Sequence, residues 1–130
     1  MVDDDLSVVK AVVSLMESVG YKAEGFTSPE LFLKSARLNR TACLILDLRM
    51  PGMGGLELQQ RLAAQGDHTP IIFITAHGGP EVSAEPLRRG AVALLHKPFS
   101  QESLLGAVRL AFARRAQPPR AQPPPHQELP

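Results

Sequence analysis

Three short apolar runs punctuate this chain, and each ends in a different polar group. Cys43-Leu44-Ile45-Leu46 runs into Asp47, Ile71-Ile72-Phe73-Ile74 into Thr75, and Val92-Ala93-Leu94-Leu95 into His96-Lys97. None of them alternates with polar positions, which is the pattern of strands covered on both faces, as in a parallel sheet. Elsewhere the apolar period lengthens to that of a helix. Leu6, Val9, Val12, Val13 and Met16 predict an amphipathic helix from Leu6 to about Val19, capped by Asp4 or Asp5 and stopped by Gly20. Tyr21 to Phe26 is a weakly patterned strand candidate. Ser28-Pro29-Glu30 supplies an N-cap, a first-turn proline and an acid for a second helix reaching about Leu38. Leu56 to Leu62 predicts a third, ended by Gly66. The stretch from Glu81 to Arg89 is a poorer candidate, because Pro86 costs ~3 kcal/mol in a helix interior; this helix is expected to begin late or to be distorted. Ser100 caps a last helix to about Arg115. Strands alternating with helices predict a parallel sheet with helices on both faces.

Composition narrows the class. A length of 130 residues suits one domain with a sizeable core. From Ala116 the pattern dissolves: six of the twelve prolines fall in the final fifteen residues. The expected division is a domain over 1–115 and a disordered Pro-rich tail or linker remnant over 116–130. Fourteen basic against thirteen acidic residues leave a charge of +1, which removes the electrostatic reason to invoke nucleic acid or an anionic membrane. The single cysteine, Cys43, lies inside an apolar run and reads as a small buried hydrophobe. No apolar stretch reaches membrane-spanning length, and the N-terminus is acidic where a signal peptide would be basic. A cytoplasmic protein is expected.

The chemistry follows from what ends each strand. If the strands are parallel, Asp3 and Asp4, Asp47, Thr75 and Lys97 share one rim, the edge where such sheets place their sites. Three carboxylates crowded together need cations. Lys97 brings one charge, and an all-oxygen ligand set favours magnesium for the rest. Phosphoryl transfer to a carboxylate fits this set. Asp47 is the nucleophile, and magnesium, Lys97 and the Thr75 hydroxyl balance the phosphoryl oxygens. His77 and His96 lie near the site but read as loop or surface residues, and Arg114, Arg115 and Arg120 as a solvated helix end and tail.

These residues carry a resemblance. The blocks Val2-Asp3-Asp4-Asp5, Leu46-Asp47-Leu48-Arg49-Met50-Pro51-Gly52-Met53-Gly54-Gly55, Thr75-Ala76 and Lys97-Pro98-Phe99 resemble, in order and spacing, the receiver domain of two-component response regulators. The likeness runs from Met1 to about Arg115, and the wording around Arg49-Met50-Pro51 and Thr75-Ala76-His77 is similar to receivers that precede a helix-turn-helix output domain. It implies a flavodoxin-like, doubly wound α/β fold with five parallel strands in the order 2-1-3-4-5. It implies Asp47 as phosphoacceptor, phosphorylated by a histidine kinase, and reset by hydrolysis of its own acyl phosphate without turnover as an enzyme. It also implies Asp3, Asp4, Asp47 and the Arg49 carbonyl as the magnesium site, a cis Lys97–Pro98 peptide, and a possible homodimer.

The chain departs from the pattern in three places. The first strand is truncated to Val2 and Met1, Leu94 replaces the aromatic that usually changes rotamer in the last strand, and Pro86 falls in the fourth helix. The first departure predicts a chain that is marginally stable or self-associated, with a natural reading frame starting several residues upstream. Two other readings stand beside this one. A hydrolase resembling the haloacid dehalogenases would need an acid two residues after the nucleophile, where this chain has Arg49. A degenerate receiver acting as a phosphorylation-independent scaffold is the alternative, to which the three departures lend some weight.

Overall fold

The computed structural model describes residues 1–35, 40–76 and 85–116, with 115 and 116 described by backbone alone. Its centre is a parallel sheet in the order β1-β2-β3, built from β1 (Leu44–Asp47), β2 (Ile71–Thr75) and β3 (Ala93–His96). Leu46 faces Phe73 across the first ladder, and Phe73 faces Leu94 across the second. Every residue of β1 and β2 is buried, as the unalternated runs require.

The pleat sorts these side chains into two cores. Leu44, Leu46, Ile71 and Phe73 join Phe32, Leu58 and Leu62 on one face. Ile45, Ile72 and Ile74 join Val12, Met16, Leu104 and Val108 on the other. The first face is covered by α2 (Pro29–Leu33) and α3 (Gly55–Ala64), the second by α1 (Leu6–Ser18) and α4 (Gln101–Ala116). The result is the three-layered α/β arrangement that alternating strands and helices predict.

The helix ends follow local chemistry. The Asp5 carboxylate caps α1 by accepting from the Ser7 N–H, and Gly20 takes φ +97° past its end. Ser28 caps α2 by accepting from Leu31 N–H, with Pro29 inside the first turn. At the head of α4 the Ser100 hydroxyl accepts from Ser103 N–H.

The structure corrects the expected elements in three places. The second helix stops at Leu33: Lys34 is its C-cap, and the Ser35 hydroxyl donates to the Phe32 carbonyl; positions 36–38 of the expected helix lie outside the described residues. Tyr21 to Phe26 is not a regular strand; only Phe26 pairs, through a single parallel bridge to Val2. The last strand is shifted by one residue, to Ala93–His96. Of the helix expected over 81–89, positions 85–88 are helical with Pro86 buried, and positions 81–84 lie outside the described residues. His77 and the tail from 117 also lie outside them.

The five-strand order survives in reduced form. Val2 bridges in parallel to both Phe26 and Leu46, so it stands where a first strand would separate a second strand from β1. Its N–H donates to Ile45 O at 2.8 Å, and its carbonyl accepts from Asp47 N–H at 2.9 Å. The sequence Phe26, Val2, β1, β2, β3 across the sheet is the 2-1-3-4-5 order, with its first two members reduced to one paired residue each. Among the described residues no helix is long and apolar enough to cross a membrane.

Candidate functional site

Because β1, β2 and β3 are parallel, their C-terminal residues emerge at one rim, and the Val2 bridge brings Asp3 and Asp4 to the same place. Asp47 is the last residue of β1, and its own N–H makes one of the two Val2 hydrogen bonds. Asp3 is fully buried, Asp47 is 5 % exposed, and Asp4 is open to solvent. One carboxylate oxygen from each of the three lies within 4.8 Å of the others. Such an all-oxygen trio suits a hard divalent ion.

Lys97 closes the cluster from β3. Its ammonium donates to Asp3 Oδ2 at 2.9 Å and stands 3.7 Å from Asp47 Oδ2, with 21 % of its side chain exposed. The backbone carries Lys97 there: its N–H donates to Thr75 O at 2.7 Å, and the Lys97–Pro98 peptide is cis. Thr75 ends β2, fully buried, one residue past the Asp47–Ile74 register pair. Two backbone donors address the acids. Asp5 N–H donates to Asp3 Oδ1 at 2.9 Å, and Arg49 N–H to Asp47 Oδ1 at 3.4 Å.

The electrostatics record the crowding. Asp47 is pushed up to about 6, first by burial and then by the charge of Asp3; Lys97 and the Arg49 N–H oppose the rise. For Lys97, burial works downward, but its hydrogen bond to Asp3 and the charges of Asp47, Asp3 and Asp5 outweigh it and raise the pKa. The site is thus overcharged with carboxylate, and one lysine does not neutralise it.

Of the residues expected at the rim, Asp3, Asp4, Asp47 and Lys97 stand together, and Thr75 ends the adjacent strand. His96 ends β3 exposed, and Arg114 reaches the Gly90 carbonyl on the surface, so neither belongs to the cluster. Gly55 is a site residue that its pattern concealed. It opens α3 against the carbonyl of Asp47, and an added Cβ would sit 2.5 Å from that oxygen. The only hint in the sequence is a pair of glycines at a helix start.

The chain matches the family model described as "Response regulator receiver domain" over residues 1–109. It is similar to the response regulator protein TodT of Pseudomonas putida, 43% identical over 112 residues that make 86% of this chain and 49% of that protein. Nodulation protein W of Bradyrhizobium diazoefficiens is 41% identical over 114 residues, 88% of this chain and 50% of its own length. The chain therefore spans about half the length of these curated relatives. Among solved structures it resembles the response regulator StyR, with a TM-score of 0.82 and 42% identity over 88% of this chain and 58% of that one. It also resembles FixJ-N, with a TM-score of 0.78 and 34% identity over 86% of this chain and 90% of that one. The rim of acids, threonine and lysine stands on the fold these relatives share, and the chain belongs to the receiver domain family of two-component response regulators.

Proposed function

We propose that the chain accepts a phosphoryl group on Asp47 from a histidine kinase, with magnesium, and loses it again by hydrolysis. The observation that carries this reading is the position of Asp47. It is a buried carboxylate at a strand end, beside two further acids and 3.7 Å from a lysine ammonium. An Asp47 oxygen attacks phosphorus while the bond to the kinase's histidine nitrogen breaks, and that nitrogen leaves with the electron pair. Lys97 turns from Asp47 toward the incoming phosphoryl oxygens. Thr75, at the adjacent strand end, supplies a hydroxyl for one of them. Water then cleaves the acyl phosphate, so the chain resets itself and turns over no separate substrate.

The ligand set for the metal is Asp4, Asp47 and the Arg49 carbonyl, with Asp3 acting through water. Magnesium, when bound, supplies positive charge against the carboxylates and the phosphoryl oxygens. The raised pKa of Asp47 fits that role: a cation among the acids would offset the burial, and after it the charge of Asp3, that push it up. Asp4→Asn removes one ligand charge at an exposed position, so the fold is expected to be unaffected. Magnesium affinity is expected to fall about 10-fold or more, the low end of what an altered ligand shell costs, and phosphorylation to fall with it. Unchanged affinity on titration would remove this pair from the metal site.

The test of the function is chemical. With acetyl phosphate and magnesium the chain should gain one base-labile phosphate, and Asp47→Asn should gain none. An adduct of the same lability in Asp47→Asn would overturn the assignment.

A further inference from the structure

The Arg89–Gly90 turn is held from two sides by side chains of helices to which it does not belong. Gln59 of α3 donates from Nε2 to the Arg89 carbonyl at 3.3 Å, and Arg114 of α4 donates from Nη1 to the Gly90 carbonyl at 3.4 Å. The turn closes the helical positions 85–88. Gly90, at φ +96°, donates its N–H to Leu87 O at 3.0 Å, and Ala91 N–H reaches back to Pro86 O at 3.1 Å. This pairing satisfies two carbonyls of the helix end through its own backbone and leaves those beyond them to be met from outside. Gln59 and Arg114 meet two of these.

Gln59 does so incompletely. Its side chain is buried, and its Oε1 is the one buried side-chain nitrogen or oxygen, among the described residues, without a hydrogen-bond partner. Turning the amide over would set Oε1 against the Arg89 carbonyl, so the donor end is fixed by that bond. A buried acceptor left unpaired is costly and uncommon. Both bonds to the turn are also long for N–H···O contacts. The arrangement therefore carries a cost that a displacement of the turn can relieve.

The turn is tied to the acid cluster along two routes. Gly55 opens α3 against the Asp47 carbonyl, with its N–H on Leu48 O at 2.9 Å, and Gln59 follows one helical turn later. Positions 85–90 also lie in the connection from β2, which ends at Thr75, to β3, which ends beside Lys97. A phosphoryl group on Asp47 takes the Thr75 hydroxyl and the Lys97 ammonium, which draws both ends of that connection toward the rim. Gln59 and Arg114 hold its turn in place against this pull.

We propose that Gln59 and Arg114 form a clamp on the Arg89–Gly90 turn that favours the unphosphorylated position of residues 85–90, and that phosphorylation of Asp47 releases it. The inference rests on Asp47 as the phosphoacceptor. Linkage makes the effect reciprocal: a clamp that opposes the phosphorylated arrangement lowers the affinity of the site for a phosphoryl group, and removing the clamp raises it.

The probe is beryllofluoride, which with magnesium occupies a phosphoacceptor carboxylate as a phosphoryl group does. Gln59→Met keeps the length of the side chain and removes both the donor and the unpaired oxygen. Arg114 is exposed, so Arg114→Met tests the other arm without touching the core. Each variant of the 130-residue chain is expected to bind beryllofluoride about 5-fold more tightly than the parent, the low end of what coupled sites show. A purely structural role would lower the melting temperature and leave this affinity unchanged. Without ligand, segment 85–91 of both variants should exchange its amide hydrogens several-fold faster than in the parent, matching the parent with beryllofluoride bound. If the parent binds and both variants bind equally or more weakly, the clamp is overturned and the phosphoacceptor stands. Tighter binding with no change of exchange at 85–91 overturns the clamp as well. A parent that binds no beryllofluoride overturns the phosphoacceptor reading and the clamp with it.

Discussion

Lys97→Ala is expected to destabilise the metal-free domain by about 2 kcal/mol near neutral pH, below the 3–5 kcal/mol typical for breaking a buried pair. The discount reflects the 21 % exposure of the Lys97 side chain, which lets water reach the vacated position. Asp3 is fully buried, and Lys97 is its ion-pair partner at 2.9 Å. Without that ammonium, Asp3 and Asp47 face each other with less compensation. A melting temperature lower by about 8 °C follows at this size.

The pH dependence has a definite sign. Asp47 stands at about 6 in the folded chain against an ordinary value of 3.8, so the folded state holds that proton more tightly than the unfolded one. Its contribution to stability is fully present below about pH 3.8 and is lost as pH rises through about 6. Removing Lys97 withdraws a charge that opposes this shift, so Asp47 rises further and the loss at neutral pH deepens. The deficit of the variant should therefore narrow as the pH is lowered toward 5, and narrow again when magnesium is added at neutral pH. Thermal melts across this range check both points, and a deficit independent of pH and of magnesium would contradict them. Phosphorylation of Asp47 should slow by about 100-fold, the scale of losing one charge-stabilising donor at a reacting centre.

Gly55→Ala is expected to cost about 2–3 kcal/mol, the upper part of the range for overpacking. An added Cβ would stand 2.5 Å from the Asp47 carbonyl oxygen, 3.0 Å from Phe73 Cε1 and 3.1 Å from Leu48 Cα. Two of these three neighbours are backbone, and Gly55 N–H already donates to Leu48 O at 2.9 Å, so α3 cannot retreat without breaking its tie to the strand end. The strain falls on the residue proposed to carry the phosphate. Phosphorylation should fall along with stability. The neighbouring change, Gly54→Ala, brings its Cβ no nearer than 3.5 Å to Leu48 O, an ordinary contact, and should stay within about 0.5 kcal/mol of the parent. Equal melting temperatures for the two variants would show that α3 moves more freely than this packing allows.

The parts legible in the sequence were those that burial on two faces dictates. Runs of Leu, Ile and Phe read as strands because both helical layers cover β1 and β2, and Ser28-Pro29-Glu30 announced a helix start through local bonding alone. Other features needed the third dimension. Ser35 ends α2 by reaching back to Phe32, which an apolar period cannot show. Tyr21–Gly25 has strand composition but forms no regular strand; among the described residues the one bridge there is Phe26 to Val2. Leu94 was visible as a departure from an aromatic; the structure adds that it faces Phe73 and packs, partly buried, on the Phe32 core. Spacing along the chain brought Asp3, Asp4, Asp47 and Lys97 to one rim, yet it carried no sign that Asp3 is the most buried of the three acids. That burial follows from the Val2 ladder, whose next residue is drawn down with it.

The central claim is that Asp47 itself becomes the acyl phosphate. Borohydride reduces an aspartyl phosphate to homoserine, which leaves a permanent mark at the modified position. After phosphorylation with acetyl phosphate and magnesium, reduction and peptide mass mapping, the account predicts homoserine at position 47 and at no other aspartate. Homoserine at position 3, 4 or 5 instead, or a stable phosphate on Thr75, would contradict it.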